Sequence, residues 1–389
     1  MSTPISSTEE TQEIQSERPS RTDHFEPNFE FNRDSDDYLA KTIIERGIAR
    51  AKLGDYHAAI KEFSNAIDLD RTSVAVCEAY MERSKARREV GDELGADRDL
   101  KDARMVFDRL DTGLEAYDEA EKAYDSRDYK NAIKHYNRAL SLLPSLKAGF
   151  CQRGIAKRLL EDYRGALLDF EKAIEVNASN SAEAYHQRGL IKFHVLSDAE
   201  GALRDYNRAI ELAAEEPAFY CSRSILLDAY DGLRDLNRAI ELDQTDPSAY
   251  LARSLKHCAM NDYHGAICDL SRFIDLAPDG DTILSISGAY SLRAKMNTSL
   301  YQYNLALKDH DKAVDLDPSS SEAVFERALI KELLNDHDGA IADFSKAIEL
   351  EPTNAEAYYR RGMAQADLGL EDAASSDFTK ANELGYEEE

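Results

Sequence analysis

Small, apolar and polar positions recur along this 389-residue chain at a spacing of 34 residues. The segment from Tyr358 to Leu384 has the layout of the segment from Val324 to Leu350, and the match continues upstream. A fixed spacing of this length is typical of a repeat built from one pair of helices. The comparison defines ten repeats, which are Ala40–Ser73, Cys77–Leu110, Gly113–Leu146, Lys147–Asn180, Ala182–Glu216, Pro217–Asp246, Pro247–Gly280, Ser287–Ser320, Ser321–Asn354 and Ala355–Glu388.

Two small residues in each repeat predict close contact between its two helices. Counted from the first residue of a repeat, the eighth place holds Gly, Ala or Ser and the twentieth holds Ala or Gly, as in Gly154 with Ala166. Small side chains at facing positions let two helices approach closely. Turn-forming residues followed by tyrosine separate these places, as in Glu161-Asp162-Tyr163. Each repeat is therefore predicted to be an antiparallel helix pair.

Prolines mark the end of several repeats, at Pro144, Pro278, Pro318 and Pro352, where a helix cannot continue. The small, aromatic and proline positions at this spacing resemble the tetratricopeptide repeat family, and the resemblance runs from Ala40 to the carboxyl end. It implies an all-α fold, a right-handed α-solenoid (superhelix) of antiparallel helix pairs. It also implies that the first helices of the pairs line a concave groove that takes peptides or partner helices.

Opposite charges recur at two places of the repeat. The seventh place is arginine in nine repeats and the twenty-third is acidic in nine, as in Arg153 with Asp169. The third repeat departs from both patterns, with Glu119 and His135. A pair formed between neighbouring repeats would set Glu119 against Asp99, so we predict that each pair closes within its own repeat. This ladder is interpreted as structural and not as a ligand-binding arginine stripe.

Stacking of one repeat on the next is predicted from apolar residues at places 21 and 28. In the last repeat these places hold Ser375 and Asn382, which predicts a solvent-facing end. In the second repeat they hold Asp97 and Arg104, which predicts irregular stacking on the third. One interpretation is a hinge at residues 111–112. The alternative is a longer second helix that packs through Leu100, Ala103, Phe107 and Leu110.

Residues 1–39 lack the repeat pattern and are predicted to form a disordered acidic arm. Aromatic residues are concentrated in the segment 24–34 of this arm, which could dock into the protein's own groove or into another protein; a floppy tail is the alternative. The predicted organisation is thus the arm at 1–39, repeats one and two at 40–110, and repeats three to ten, with a polar carboxyl-terminal cap, at 113–389.

The charge balance restricts the partners. With 75 acidic and 48 basic side chains the formal net charge is −27, which repels nucleic acid and anionic membranes. The charge is interpreted as a solvated face, with selection of basic partners as the alternative. No secretory signal is visible, so a cytoplasmic location is expected. The five cysteines form no CxxC motif and are expected to be reduced and buried.

No motif in the sequence predicts catalysis, a metal site or a cofactor. A glycine-rich phosphate loop, HExxH, GxSxG and paired Cys/His spacings are absent. The repeats also occupy nearly the whole chain, so an enzyme is not expected. The Lys and Asn pattern by which some members of the family bind acidic chaperone tails is missing as well.

Places five, nine and twelve of each first helix fall on one helical face and form an apolar, partly aromatic stripe. It is either an exposed groove for an amphipathic helix or apolar segment, or core between repeats. We predict a non-enzymatic scaffold or adaptor that binds partner proteins or peptides there; alternatives are a co-chaperone or holdase for apolar clients, or an accessory subunit of an enzyme complex. Self-association is possible but is not indicated. The residues of this groove stripe are Ile44, Ile48, Met81, Tyr117, Tyr124, Ile155, His186, Leu190, Phe193, Leu251, Leu255, Phe325, Leu329, Tyr359 and Met363.

Overall fold

A computed structural model describes residues 36–69, 74–176, 178–277 and 283–387. Over these ranges the chain forms nineteen α-helices, one short 3-10 helix and no strand. The predicted arm lies outside the described residues up to position 35, including the aromatic segment 24–34. The helices are α1 (Asp36–Lys52), α2 (Tyr56–Leu69), α3 (Val74–Glu89), α4 (Glu93–Asp125), α5 (Tyr129–Leu142), α6 (Lys147–Leu159), α7 (Tyr163–Val176), α8 (Ala182–His194), α9 (Ala199–Leu212), α10 (Pro217–Ser224), α11 (Ala229–Leu242), α12 (Pro247–Ala259), α13 (Tyr263–Leu276), α14 (Ile283–Ser299), α15 (Tyr303–Leu316), α16 (Ser321–Leu333), α17 (His337–Leu350), α18 (Ala355–Asp367) and α19 (Glu371–Glu383).

The chain divides between Ser179 and Asn180 into two compact units, the first with helices α1 to α7 and the second with α8 to α19. Within each unit, every helix packs against the helices that precede and follow it along the chain. Successive packing of helix pairs without strands, in the described part of the chain, confirms the predicted all-α solenoid.

In most of the helix pairs, the turn combines a left-handed residue with an aspartate cap. Glu161 has a φ of 63°, and this lets the amide of Asp162 donate to the carbonyl of Lys157 at 2.9 Å. The Asp162 carboxylate then accepts a hydrogen bond from the amide of Gly165 at 2.9 Å, which caps the second helix. Glycine takes the left-handed place in three other turns, at Gly54, Gly91 and Gly369.

An aromatic ring of the second helix explains the small residue on the first. A Cβ added at Gly154 would lie 2.6 Å from Cε1 of Phe170, which is fully buried. At Gly362 the added atom would lie 2.8 Å from the ring of Phe378 and 3.3 Å from the carbonyl oxygen of Ala374. The two small places therefore face each other, as predicted. The ring at place 24, however, lies closer to the eighth place and is the main reason why that place must hold a small residue.

Helix α4 replaces two predicted helices with one of 33 residues. Asp111 and Thr112 lie inside it, so no loop interrupts the chain at the proposed hinge, and the helix is longer as in the alternative interpretation. Phe107 is nevertheless 57% exposed and is not part of the buried packing expected of it. Asp97 and Arg104 are exposed as well, which accounts for polar residues at stacking places. Whether residues 40–110 move as an arm stays a prediction.

The two irregular repeats change helix length. Helix α10 has only 8 residues, where the other first helices of the second compact unit have 13 or more. Lys256 of α12 covers the missing turn, and its Nζ donates to the carbonyl of Leu227 at 2.9 Å. The insertion predicted at 281–286 falls partly outside the described residues, and its last four residues extend α14 to 17 residues. A cavity of about 270 Å³ remains beside α10, lined by Leu203, Asn207, Arg223, Leu227, Asp231, Arg234 and Asp235.

Candidate partner-binding surface

The arginine ladder closes within the repeats, as predicted. In the pair α6–α7, Arg153 donates from Nε to Oδ2 of Asp169 at 2.9 Å and from Nη2 to Oδ1 at 2.6 Å, and the carboxylate is buried. The exceptional pair also closes, with His135 Nδ1 2.9 Å from Glu119 Oε2. Arg46 reaches Glu62 through one bond of 2.6 Å. The same two-bond pairing joins Arg83–Asp99, Arg188–Asp205, Arg223–Asp235, Arg253–Asp269, Arg293–Asp309, Arg327–Asp343 and Arg361–Asp377.

Seven of the nine ladder arginines also contact the preceding pair, a contact that the sequence pattern does not predict. Nη1 of Arg153 donates to Oδ1 of Asn137 at 2.7 Å, and its guanidinium lies 5.5 Å from the ring centre of Phe150. The third nitrogen of the fork is therefore occupied, and the arginine is not free to bind a ligand. The bond to the preceding second helix recurs in Arg83–Ser64, Arg223–Asn207, Arg253–Asn237, Arg293–Ser271, Arg327–Asp311 and Arg361–Ser345.

Part of the groove stripe lies in the cores of the helix pairs. Ile44 and Phe325 are buried in two of the hydrophobic clusters. Ile48, Leu251 and Leu329 are partly buried and pack against such clusters. A polar substitution at these five places would disturb the fold before it reported on a partner.

The aromatic members of the stripe contact neighbouring rings. His186 is buried, its ring centre lies 4.8 Å from that of Phe219, and its Nε2 lies 2.8 Å from the Ser222 hydroxyl. Because Phe219 and Ser222 belong to α10, His186 joins one pair to the next. The remaining ring contacts are Tyr117–Tyr136 at 5.7 Å, Tyr124–Tyr129 at 5.5 Å, Phe193–His194 at 4.8 Å, Tyr359–Phe378 at 5.6 Å and Tyr359–Tyr386 at 4.4 Å.

Other members of the stripe remain accessible. Met81 on α3 is 37% exposed, Leu255 on α12 is 53% exposed and Met363 on α18 is 39% exposed. Ile155 and Leu190 are half-buried, as is Phe193. The predicted groove is thus divided between packing residues and a smaller set that a partner can reach.

The stripe is interrupted on α14, which carries Ser291 and Lys295 at places five and nine. A cavity of about 300 Å³ opens there between α14 and α16. Lys295 Nζ lies 3.1 Å from Glu322 Oε1 and 3.2 Å from Glu326 Oε1. We call this space the α14–α16 cavity; it is lined by Ser287, Gly288, Ser291, Leu292, Lys295, Asp317, Ser320, Glu322, Ala323 and Glu326.

A histidine replaces the core ring of the second helix in this pair. His310 stands at place 24, which holds Phe170 and Phe344 in other pairs, and it is 1% exposed. Neither ring nitrogen has a hydrogen-bond partner among the described residues. Burial, together with the positive charges of Lys295 and Arg327, lowers the pKa of His310 to about 4. The imidazole is therefore neutral at neutral pH.

Two models of known families match parts of this chain. The TPR repeat model matches residues 333–369, and the tetratricopeptide repeat model matches residues 40–73 and 355–384. The second model starts at the first residues of the first and last predicted repeats. Residues 40–73 and 333–384 of this chain are therefore tetratricopeptide repeats.

Curated relatives of this tetratricopeptide-repeat chain match only part of it. It is 34% identical over 103 residues to tetratricopeptide repeat protein 36 of Danio rerio, a match that covers 26% of this chain and 53% of the relative. The protein of the same name from Homo sapiens is 32% identical over 72 residues, covering 18% of this chain and 38% of the relative. The match therefore spans about half, or less, of the length of these relatives.

One solved structure supports the same fold. The carboxyl-terminal part of a TPR repeat-containing protein from Cytophaga hutchinsonii superposes with a TM-score of 0.50 at 18% identity. The superposition covers 62% of this chain and 97% of that structure. At this identity the likeness shows the tetratricopeptide-repeat fold alone.

Metal ligands, membrane-spanning helices and cysteines are the remaining features that bear on the chemistry of the repeats. In the described part of the chain, no group of three His, Cys, Asp or Glu side chains is placed to hold a metal ion. No described helix is long and apolar enough to cross a membrane. None of the five cysteines, all in the described part of the chain, forms a disulfide bond, and four are half-buried. The fifth, Cys268, is exposed, so the expectation of buried cysteines is wrong there.

Proposed function

We propose that this chain is a non-enzymatic scaffold that binds partner proteins through accessible apolar side chains on its first helices. The observation that carries the proposal is the exposure of Leu255 and Met363, which occupy a place of the repeat held by half-buried Leu190 and Leu329 in other pairs. Apolar side chains left open beside core residues of the same stripe suit contact with an apolar segment. Tetratricopeptide repeats support this function because stacked helix pairs present extended binding surfaces.

The ladder arginines are already paired, which favours binding of partner proteins over binding of a small anion. The bidentate arginines bind buried carboxylates of their own repeats, and in several repeats their third nitrogen is bound to the preceding second helix. The first helices therefore present mainly apolar side chains to a partner, and the protein as a whole is acidic. A partner segment with apolar residues and flanking basic residues fits both properties.

An affinity pull-down from cell extract tests the proposal. The test variant combines Leu255→Glu with Met363→Glu, because both side chains are exposed and the fold should tolerate the charge. The matched control is Leu168→Glu on the second helix α7, where leucine is 61% exposed and outside the groove stripe. Circular dichroism should confirm that all three chains are folded. We expect partners to be lost in the double variant and retained in the control; partners retained in both would place binding elsewhere.

A holdase function is the second candidate, and it rests on different side chains. Leu53 and Leu94, as well as Tyr301, are large exposed side chains beside the turns inside the helix pairs. Such side chains could shield apolar segments of unfolded clients. Light scattering of a heat-denatured reporter enzyme distinguishes the two functions. Suppression that survives the Leu255→Glu, Met363→Glu change and is lost in Leu53→Glu, Tyr301→Glu would favour the holdase.

A further inference from the structure

Helix α5 carries an unbalanced positive charge on its exposed side. Lys130, Lys134 and Arg138 are exposed and follow one another at intervals of four residues, so they lie on one face of the helix. We call these three side chains the basic face; it is about 12 Å long at the rise of an α-helix. Helix α5 contains no Asp or Glu, whereas each of the other described second helices carries at least two.

The basic face lacks the ion pairs that neutralise equivalent cations elsewhere. At place 26, Lys172 on α7 lies 2.8 Å from Glu175, three residues further along the helix. The same pair recurs in Arg208–Glu211, Arg238–Glu241, Lys346–Glu349 and Lys380–Glu383. On α5 the acidic place holds Ser141, whose hydroxyl donates to the carbonyl of Arg138 at 2.7 Å. None of the three cations of the basic face forms an ion pair with a described residue.

The carboxylates beside α5 are already used. Asp128 accepts hydrogen bonds from the backbone amide of Asn131 at 3.2 Å and from its side chain at 2.7 Å, which caps the helix. Glu119 on α4 lies 2.9 Å from His135. Like charges four residues apart repel each other, and Lys130 in the first turn opposes the helix dipole. The basic face therefore destabilises α5, and an anion bound along it would remove this cost.

We propose that the basic face binds an acidic segment of a partner polypeptide. Glutamates at every fourth position of a partner helix present carboxylates at the spacing of the three cations. The basic face is separate from the groove stripe because it lies on a second helix. A long polyanion such as nucleic acid fits less well: the net charge of the chain is −27, and α4, which packs against α5, exposes Glu115, Glu119 and Asp125.

Fluorescence anisotropy with a labelled alanine-based peptide tests the proposal. The peptide carries glutamate at every fourth position, and its control carries glutamine there. We expect the glutamate peptide to bind the intact chain at low ionic strength, to be released as salt is added, and the glutamine peptide not to bind. The variant Lys130→Gln, Lys134→Gln, Arg138→Gln should bind the glutamate peptide about tenfold more weakly, a difference of about 1.4 kcal/mol.

Two further comparisons separate the basic face from the overall charge. Lys172→Gln, Arg204→Gln, Arg208→Gln removes the same charge from exposed cations that are paired on α7 and α9, and it should bind like the parent chain. Ser141→Glu gives Arg138 the acidic neighbour that other second helices have, and it should weaken binding, whereas Ser141→Gln should not. Circular dichroism checks that each variant is folded; the serine variants keep the test decisive if the triple change in α5 alters the helix.

Four outcomes would overturn the proposal. The first is absence of binding to the parent chain at low ionic strength, and the second is an equal loss of binding in the two triple variants. The third is a deoxythymidine dodecamer that binds the basic face more tightly than the glutamate peptide, which would assign the face to nucleic acid. The fourth is tighter peptide binding after four changes in the predicted arm, which would assign the face to the chain's own acidic residues; these changes are Glu9→Gln, Glu10→Gln, Glu13→Gln and Glu17→Gln.

The basic face and the scaffold function can fail separately. The variant Leu255→Glu, Met363→Glu leaves α5 unchanged and should bind the glutamate peptide like the parent chain. Loss of extract partners in that variant together with unchanged peptide binding would support both proposals. Loss of peptide binding in it would show that the peptide occupies the groove stripe, and the basic face would then be rejected.

Discussion

Arg223 and Asp235 make the same two parallel hydrogen bonds as their counterparts in other repeats, at 2.8 and 2.7 Å, although only 12 residues separate them. In the pair α6–α7 the separation is 16. The repeat has thus lost four residues of its first helix and turn without losing the ion pair. This retention indicates that the ladder fixes how the two helices of a pair are set against each other.

Removing the arginine of this short repeat is expected to destabilise it strongly. Arg223→Ala leaves the buried carboxylate of Asp235 without an ion-pair partner in the described part of the chain, at a cost of about 3–5 kcal/mol. Arg153→Ala should cost less, because Lys157 Nζ remains 2.8 Å from Asp169. Urea unfolding followed by circular dichroism measures both losses. Equal losses in the two variants would contradict the role assigned to the second cation.

The buried histidine predicts a pH dependence of stability. The pKa of His310 is about 4 in the folded chain against 6.5 for an unperturbed imidazole, so the unfolded state takes up the proton first as the pH falls. Stability should be level above about pH 6.5 and should fall between about pH 6.5 and 4, by up to about 3 kcal/mol. Lys295 and Arg327 oppose protonation, while Asp309 favours it.

The variant His310→Phe isolates this contribution. Phenylalanine is the residue of the same place in α17, and it has no nitrogen that needs a partner. We expect the variant to be more stable than the parent, with a difference that widens as the pH falls below about 6.5. Other titrating groups are common to both chains and cancel in the comparison. A difference in urea midpoint that stays constant from about pH 7.5 to about pH 5 would show that folding does not lower the pKa of His310.

The repeat comparison predicted the helix pairs and the ladder because the same physical requirement recurs in every copy. Arg153 and Asp169 could be paired from sequence alone, since Glu119 and His135 depart from the pattern together. The bond to Asn137 was not found, because it joins two repeats and its acceptor is Asn, Ser or Asp in different copies. The sequence leaves the fused helix α4 as one of two alternatives, since the pattern marks repeats and not the connection between them.

The accessible part of the groove stripe could not be separated from the core by spacing. Place five carries Phe325, which is buried, and Met81, which is exposed. Spacing gives the face of the helix on which a residue lies, whereas burial depends on the ring opposite and on the next helix. The substitutions at Gly288 and Ser291 were visible in the sequence. The cavity that they line depends on how α14 and α16 pack, which the spacing does not give.

The polar face of the last helix should prevent self-association. Ser375 and Asn382 on α19 are both exposed, while the same places in α17 hold Ile341 and Ile348. Ser375→Ile with Asn382→Ile recreates an apolar stacking face without a helix to cover it. We expect concentration-dependent association in sedimentation velocity. The control variant Ser376→Ile should not associate, because residue 376 is one position along the helix and is therefore turned away by about 100°. Association of both variants would mean that added hydrophobicity alone is enough to cause association.

Thiol labelling tests how tightly the short repeat is held. Burial raises the pKa of Cys77 to about 11 and that of Cys221 to about 12, whereas Cys268 is exposed. Since the thiolate is the nucleophile, iodoacetamide at about pH 8 should label Cys268 first and leave the other two largely unmodified. Peptide mass spectrometry gives the rates, and labelling in denaturant provides the common reference. Cys221 lies on the eight-residue α10. Labelling of Cys221 as fast as Cys268 would show that Lys256 and the ladder do not keep this helix packed against its neighbours.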